Sequence, residues 1–467
     1  MMAKPFPFSH PAHRASNGSV LIIVLWVSLG MMALTITFGH SMVMAYRSAD
    51  NELAGYQAEE AIDAGLRYAE SVLTNTGTPG LFPDPTTYQS EAVPLGEATF
   101  WLIGRDNNNP ASTTPVFSLV DEASKLNLNT ASTAMLETLP GITPDQADAI
   151  VDWRTSTTSS STATGSFDYQ SMQPPYTDKN APFESIEELA LVYGMDSLTI
   201  FGEDANLNGT LDPNEDDGDK NPPSDNSNGQ LEPGLLEYVT AYTREPNTKS
   251  DGSAKTDVSK ISPLSDAVSQ LLQQTFGASQ ATTFQQNLTA YAPTAPPLQP
   301  GSDGSTPQIS SLLQFYIASG MTADQFAQIS DSITVSQGKY TQGLINVNTA
   351  SQTVLAAIPG IGDSGAASLI SARQSRSLGD TSYVWIVDIL GKDNVAQYGK
   401  WVTGKSYQIT ADIAAVGRNG RGYRRTKFVI DMSSGTPVII YRRNLSHLGW
   451  SLGRDTRETL GTRTYGL

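Results

Sequence analysis

Residues 204–215 read Asp-Ala-Asn-Leu-Asn-Gly-Thr-Leu-Asp-Pro-Asn-Glu. Oxygen-bearing side chains fall at the first, third, fifth, ninth and twelfth places: Asp204, Asn206, Asn208, Asp212 and Glu215. Thr210, at the seventh place, offers its backbone carbonyl. Gly209 stands at the sixth, where the chain must turn sharply through positive φ. Hard oxygens at alternating positions on a looped backbone are what Ca2+ requires, so these six residues form a candidate calcium loop. The bland alternative is a solvated acidic loop with chance spacing. Pro213 argues against a normal exiting helix, so the loop is expected outside a full EF-hand pair. Seven acids and no base lie between Glu203 and Asp219. Without a cation they repel one another, which makes the expected role structural. Outside the cytoplasm, calcium suffices for weak sites of about 10⁻⁴–10⁻³ M. The phrase Asn-x-Asn-Gly-x-Leu-acid recurs at 226–232, and Asp219, Asp225, Asn228 and Glu232 are the candidates for a second ion.

Other chemistry finds little material. The chain has no cysteine and four histidines, His10, His13, His40 and His447. No disulfide, zinc–thiolate site or cysteine nucleophile is possible, and a histidine triad is starved. Two decoys remain. Gly399-Lys-Trp-Val-Thr-Gly404-Lys405-Ser406 fits the P-loop pattern, but a P-loop opens a helix, and Tyr407–Val416 alternates like a strand. Gly362-Asp363-Ser364-Gly365 matches a serine-hydrolase nucleophile phrase without a usable base. Neither supports an enzyme.

The elements that must carry the loop begin in lipid. Residues 1–18 hold Lys4 and Arg14 and no acid, and Ser19–Phe38 is almost wholly apolar. About twenty such residues span a hydrocarbon core of about 30 Å. The basic flank is expected to stay cytoplasmic and the rest to lie outside it. A cleaved secretory signal is the alternative, with Val43-Met44-Ala45 as its cleavage site. Residues 46–74 lack proline, and Ile62, Leu66, Ala69 and Leu73 recur at helical spacing. One helix over 19–76 is therefore expected, with 19–43 in the membrane.

The middle of the chain repeats itself. Leu126–Arg154 and Ile345–Arg373 share eleven of 29 aligned positions, among them both Asn-x-Asn-Thr-Ala phrases and the terminal arginines. Each copy reads as helix, Pro-Gly-Ile turn, helix. The turns are Pro140, Gly141 and Ile142, and Pro359, Gly360, Ile361 and Gly362. Thr130 and Thr349, or the Asn before each, are expected to cap the first helices. The units resemble the helix-hairpin-helix motif, whose turn glycines can hold a nucleic-acid phosphate. Here Asp145, Asp148 and Asp363 sit where phosphate would approach, and the whole chain carries 47 acids against 29 bases for a net −18. That balance counts against nucleic acid as the main partner. A compact packing unit reused as scaffold is the expected reading.

Strands are expected at Ala98–Arg105, Pro115–Val120, Tyr407–Val416, Arg424–Asp431 and Pro437–Arg442. Linkers are expected at 155–165 and 292–308. The sheet is thus split, its first part at 90–121 and the rest at 401–467, around a mostly helical insertion at 122–400 that holds the calcium loop. From Arg418 onward ten bases face three acids. This basic tail reads either as a solvated sheet edge or as a contact for an acidic neighbour.

Gly18 before an apolar run and a long amphipathic helix resembles a type IV prepilin-like leader. In that family a prepilin peptidase cuts after the glycine, here between Gly18 and Ser19, and the new N-terminus is methylated. Most members carry Glu at mature position five; here it is Ile23. That departure, the opening Ser19–Trp26, both Asn-x-Asn-Thr-Ala repeats and the stretch Pro182–Gly194 resemble the minor pseudopilin K family of type II secretion systems. The resemblance covers nearly the whole chain. It implies an α+β, pilin-like fold with the N-terminal helix packed on a small antiparallel sheet. It also implies a calcium-binding helical domain, an inner-membrane anchor with the bulk in the periplasm, and other minor pseudopilins as partners at a filament tip. The implied role is structural: starting the pseudopilus and supporting protein export across the outer membrane. The alternative is a membrane-anchored exported DNA receptor using the hairpins.

Overall fold

A computed structural model describes residues 17–106, 109, 111–155, 167, 169–249, 251–261, 263–291, 308–376 and 380–465. The basic segment 1–16 and nearly all of the two linker stretches, 155–165 and 292–308, lie outside the described residues.

Helix α1 runs from Asn17 to Thr74 without proline, so nothing interrupts its hydrogen-bond ladder. Gly18 and Ser19 lie in its first turn. Its two halves differ in what surrounds them. Every large apolar side chain from Val20 to Met44 is exposed, and this half is long and apolar enough to cross a membrane. The second half buries one stripe, Ala54, Ala58, Ala61, Ile62, Leu66, Ala69 and Leu73, which apart from the adjacent Ala61 and Ile62 are spaced by three and four residues. It ends at Thr74, two residues earlier than expected, in a turn leading to Gly77 at φ +71°.

That stripe lies on an antiparallel sheet. Its strands are β1 (Val93–Leu95), β2 (Ala98–Leu102), β3 (Val120–Asp121), β4 (Gln408–Val416), β5 (Arg424–Asp431) and β6 (Val438–Asn444). The spatial order is β1-β2-β4-β5-β6, with β3 pairing the start of β4. The expected second strand at Pro115–Val120 shrinks to a single bridge, Ile103 with Phe117, before β3 begins. Alternation on β4 sorts its side chains. Ile409, Ala411, Ile413 and Ala415 face α1 with Phe428 and Ile430. Small residues let helix and sheet approach: a Cβ at Gly65 would sit 2.9 Å from Ile413, and one at Gly417 only 2.2 Å from the Ala54 carbonyl oxygen.

The opposite face of β4 is buried and, up to Asp412, polar: Gln408, Thr410 and Asp412 are all under 4% exposed, before Ala414 and Val416 join an apolar cluster with Trp101 and Ile103. Such groups cost free energy unless paired. Their partners come mainly from elsewhere in the chain. Thr410 donates to Glu122 (2.6 Å), and Gln408 donates to Asp431 (2.8 Å) and accepts from the Arg244 amide (2.8 Å). The insertion therefore docks through a hydrogen-bonded layer, while its own large core is apolar.

The insertion carries α2 (Thr133–Leu136), α3 (Pro144–Arg154), α4 (Ser197–Phe201), α5 (Asp266–Tyr291), which breaks at Gly277, then α6 (Gln352–Ala356) and α7 (Gly362–Arg373), with further helices, among them Leu312–Ser319 and Ala323–Ser330, and two-stranded ladders between them. Ser132 and Ser351 cap α2 and α6. The expected caps Thr130 and Thr349 serve otherwise: Thr349 donates to Asp121, and Thr130 to the Asn127 carbonyl. Each precedes the true N-cap by two residues, too far from the orphan amides. The chain's end departs from a simple tail: α8 (Gly453–Tyr465) forms there, with Arg454 and Glu458 paired one turn apart at 2.7 Å. The fold is α+β and pilin-like, with a helical insertion splitting the sheet.

Candidate functional site

The calcium-type loop follows α4, whose N-cap Asp196 accepts from the Thr199 amide (2.7 Å). Gly202 then turns at φ +63° and Gly209 at +71°. No helix follows Pro213; the chain passes into turns. Asp204, Asn206, Asn208, Thr210 and Glu215 are all buried, and Asp212 is half-buried. The six are held in one small volume. The Asp204 carboxylate accepts from the amides of Asn208 (3.0 Å) and Gly209 (2.8 Å). Glu215 bridges the loop's ends, accepting from Ala205 and Asp212, both at 2.9 Å. Asp212 accepts from the side-chain amides of Asn206 (2.6 Å) and Asn208 (3.1 Å).

Burial sets the loop's carboxylates against their own charge. It raises the pKa of Asp204 and of Asp212 from the ordinary aspartate value. Burial, with the Asp204 charge beside it, pushes Glu215 up to about 8. One further group is unsatisfied: Asn206 Oδ1 is buried with no hydrogen-bond partner. Among the described residues no three His, Asp or Glu side chains form a metal cluster. The loop's donor set instead leans on amide and backbone oxygens. Turning the Asn206 amide brings Oδ1 toward Asp212, since amide oxygen and nitrogen are near-isosteric. The residues present fit a hard cation of the Ca2+ type.

The second candidate set gathers only in part. Glu232 accepts from the amides of Asn226 and Asn228, both at 2.8 Å. Asp225 holds the backbone amides of Asp217, Gly218 and Ser227, and Asp219 is exposed. Glu203 joins this segment, accepting from the amides of Asn226 (3.3 Å) and Glu232 (3.2 Å). Sequence reading passed over both Glu203 and Asn226. Asn226 opens the repeated Asn-x-Asn-Gly phrase and could have been taken. Glu203 lies more than twenty residues away and gives no local signal.

The two hairpins superpose in their chemistry. Asn127 and Asn346 accept from the amides of Asn129 and Asn348 at 2.8 and 3.0 Å. Arg154 donates to the carbonyls of Leu128 and Ala131, and Arg373 to the equivalent Val347 and Ala350. The turn glycines 141, 360 and 362 all have positive φ. Pro140 and Ile142 flank the first; Ile361 is buried in the second. Both repeat arginines are spent on their own hairpin's carbonyls rather than presented to a phosphate. The second hairpin also reaches the sheet, where Asn346 (3.1 Å) and Thr349 donate to the buried Asp121.

The P-loop decoy resolves structurally. Val402–Thr403 pairs in parallel with Ile345–Asn346, β4 follows, and Lys405 pairs with Asp331. Five of the basic residues from Arg418 onward turn inward or onto neighbouring elements: Arg418 and Arg421 pair with Asp50, Arg424 with Glu59, Arg443 with Glu187, and Arg425 with Asp412, whereas Arg442 and Arg454 stay exposed.

Two family models match this chain, both described as type II secretion system, protein K. One covers residues 117–200 and the other 345–385, so each takes in one hairpin repeat. No curated protein matches. Among solved structures, a chain of the GspK–GspI–GspJ complex from the type 2 secretion system of enterotoxigenic Escherichia coli is similar at 11% identity. The alignment covers 86% of this chain and 99% of that one, with a TM-score of 0.40.

Proposed function

We propose, from the premise that the chain belongs to the protein K family of type II secretion systems, that it acts as the tip subunit of the pseudopilus. It is a structural pseudopilin, not an enzyme. In this reading α1 anchors it in the inner membrane after prepilin peptidase cuts between Gly18 and Ser19. The remainder stands in the periplasm. On assembly α1 packs among the helices of other minor pseudopilins, which starts the filament and supports export across the outer membrane.

The observation that carries this reading is the division of α1. Its second half is fastened to the sheet by a stripe of small and aliphatic residues, while its first half offers apolar side chains all round. A rod of that kind is stable only in lipid or among like rods. Ile23 at mature position five is 62% exposed. An apolar residue there needs no neighbouring amine, whereas a carboxylate in lipid costs about 2.5–3.5 kcal/mol. The bulky insertion suits an end position, where nothing stacks above it.

Two experiments test the proposal. Mass spectrometry of the chain made alongside its secretion system is expected to find an N-methylated Ser19 at the N-terminus; an N-terminus at residue 46 would reject it. Removal of the chain is expected to abolish export of the system's cargo. The 204–215 loop is proposed to hold Ca2+ in a bracing role, and isothermal titration with CaCl2 showing no heat of binding would reject that part. The hairpin arginines, turned onto their own carbonyls, lend nothing to the DNA-receptor alternative.

A further inference from the structure

The loop does not hang freely from the insertion. Its outward carbonyls are taken by two guanidinium groups that belong to the sheet. Arg425, on β5 and fully buried, donates to the Asn206 carbonyl and to that of Leu207 (2.6 Å). Arg105, just past β2, donates to the Leu207 carbonyl (2.8 Å) and to that of Asn208 (3.4 Å). Leu207 itself sits at φ +54°, a conformation its side chain disfavours and the two arginines hold. Each guanidinium is neutralised by its own carboxylate, Arg425 by Asp412 (2.6 Å) and Arg105 by Glu237 (3.0 Å). The pair can therefore stand beside a bound cation without adding net charge. Within the loop the buried Asn206 Oδ1 has no hydrogen-bond partner, while Nδ2 donates to Asp212 (2.6 Å) and to the Trp450 carbonyl (3.1 Å); the amide turned the other way presents that oxygen, beside the Asp212 carboxylate, to a cation.

We propose that Arg425 and Arg105 are positioning residues for the cation, and that cation binding in the 204–215 loop fastens the insertion to the pilin-like sheet through them. The proposal rests on the reading of the loop as a Ca2+ site. Its physical basis is preorganisation. With three consecutive carbonyls pinned outward, the amides of Asn208 and Gly209 point inward onto Asp204, and the ligand oxygens need not be ordered when the ion arrives. By linkage the same coupling runs in reverse: an occupied loop holds its carbonyls in place for the two arginines.

The test uses the full chain in detergent, with CaCl2 titrated against a chelated control. Calorimetry and hydrogen exchange are read on the wild type, Arg425→Lys and Arg105→Lys. Lysine keeps the charge but loses the fork that reaches two carbonyls at once. The expected result is a drop in Ca2+ affinity of about tenfold in each variant, as for other residues that orient ligands. Calcium should also slow exchange in β4 and β5 as well as in the loop. Circular dichroism establishes that each variant is folded; should Arg425→Lys fail to fold, Arg105→Lys, at a side chain 14% exposed where Arg425 is fully buried, decides the affinity arm. Wild-type affinity in a folded variant, or protection confined to 204–215, overturns the proposal while leaving the calcium site standing. No calcium binding by the wild type overturns both.

Discussion

Asp121 shows how a single buried carboxylate joins two parts of this chain. Asn346, Thr349 and Ser406 all donate to it, and it caps the turn at Ala123. Burial wins over these donors and pushes its pKa up from 3.8 to about 6. Between those values the folded chain retains a proton that the unfolded chain has released. The group's stabilisation is therefore complete below about pH 4 and lost as pH rises through 6, by about 3 kcal/mol at most. Asp121→Asn is expected to gain stability relative to wild type between pH 4.5 and 7, read from denaturant midpoints; parallel pH profiles would refute this. At the loop, Glu215→Gln removes one of the three carboxylates among the candidate ligands and is expected to weaken Ca2+ binding by roughly tenfold or more in calorimetry. The loop's six residues were legible because the ligand spacing is local. Asp121, Arg425 and Arg105 were not, because their partners lie more than a hundred residues away and no periodicity reports such contacts.

At the scale of elements, the sheet and helix packing depend on glycine where backbones nearly touch. A methyl at Gly417 would meet the Ala54 backbone, whereas one at Gly30 meets nothing within 4 Å. Gly417→Ala is expected to lower the stability of the full chain by about 1–3 kcal/mol. Gly30→Ala should be neutral or mildly stabilising, since alanine suits a helix better. Thermal melts of the two variants check this, and equal melts would contradict the packing. Periodicity revealed α1, β4 and β5 nearly to the residue because each buries a regular stripe. The short ladders of the insertion escaped it, since two-residue strands have no period to show. Within the basic tail, charge counts cannot tell the arginines that reach back to Asp50 and Glu59 from Arg442 and Arg454, which stay exposed. The C-terminal helix α8 was likewise missed, since Leu460 is the one aliphatic residue in it and leaves no apolar period.

For the whole molecule, an apolar rod, a split sheet and a helical head act as one piece only if the head is fastened. Saturating Ca2+ at about a hundred times its dissociation constant would add about 2.7 kcal/mol, and chelation is expected to lower the Tm of the full chain by several degrees; an unchanged Tm would show that the loop does not brace the fold. The central claim concerns the rod. The chain has no native cysteine, so Ile36→Cys places a single thiol on the exposed face of α1, where the side chain is 61% exposed. Like rods pack at about 8–10 Å between axes, within reach of a short bis-maleimide. Cross-linking in cells that also produce the other minor pseudopilins, each with one cysteine at the matching depth, is the most direct measurement. The account predicts a cross-linked heterodimer that vanishes when the partner pseudopilins are absent. A chain that stays monomeric in their presence, with the thiol fully reactive toward the reagent, would contradict it.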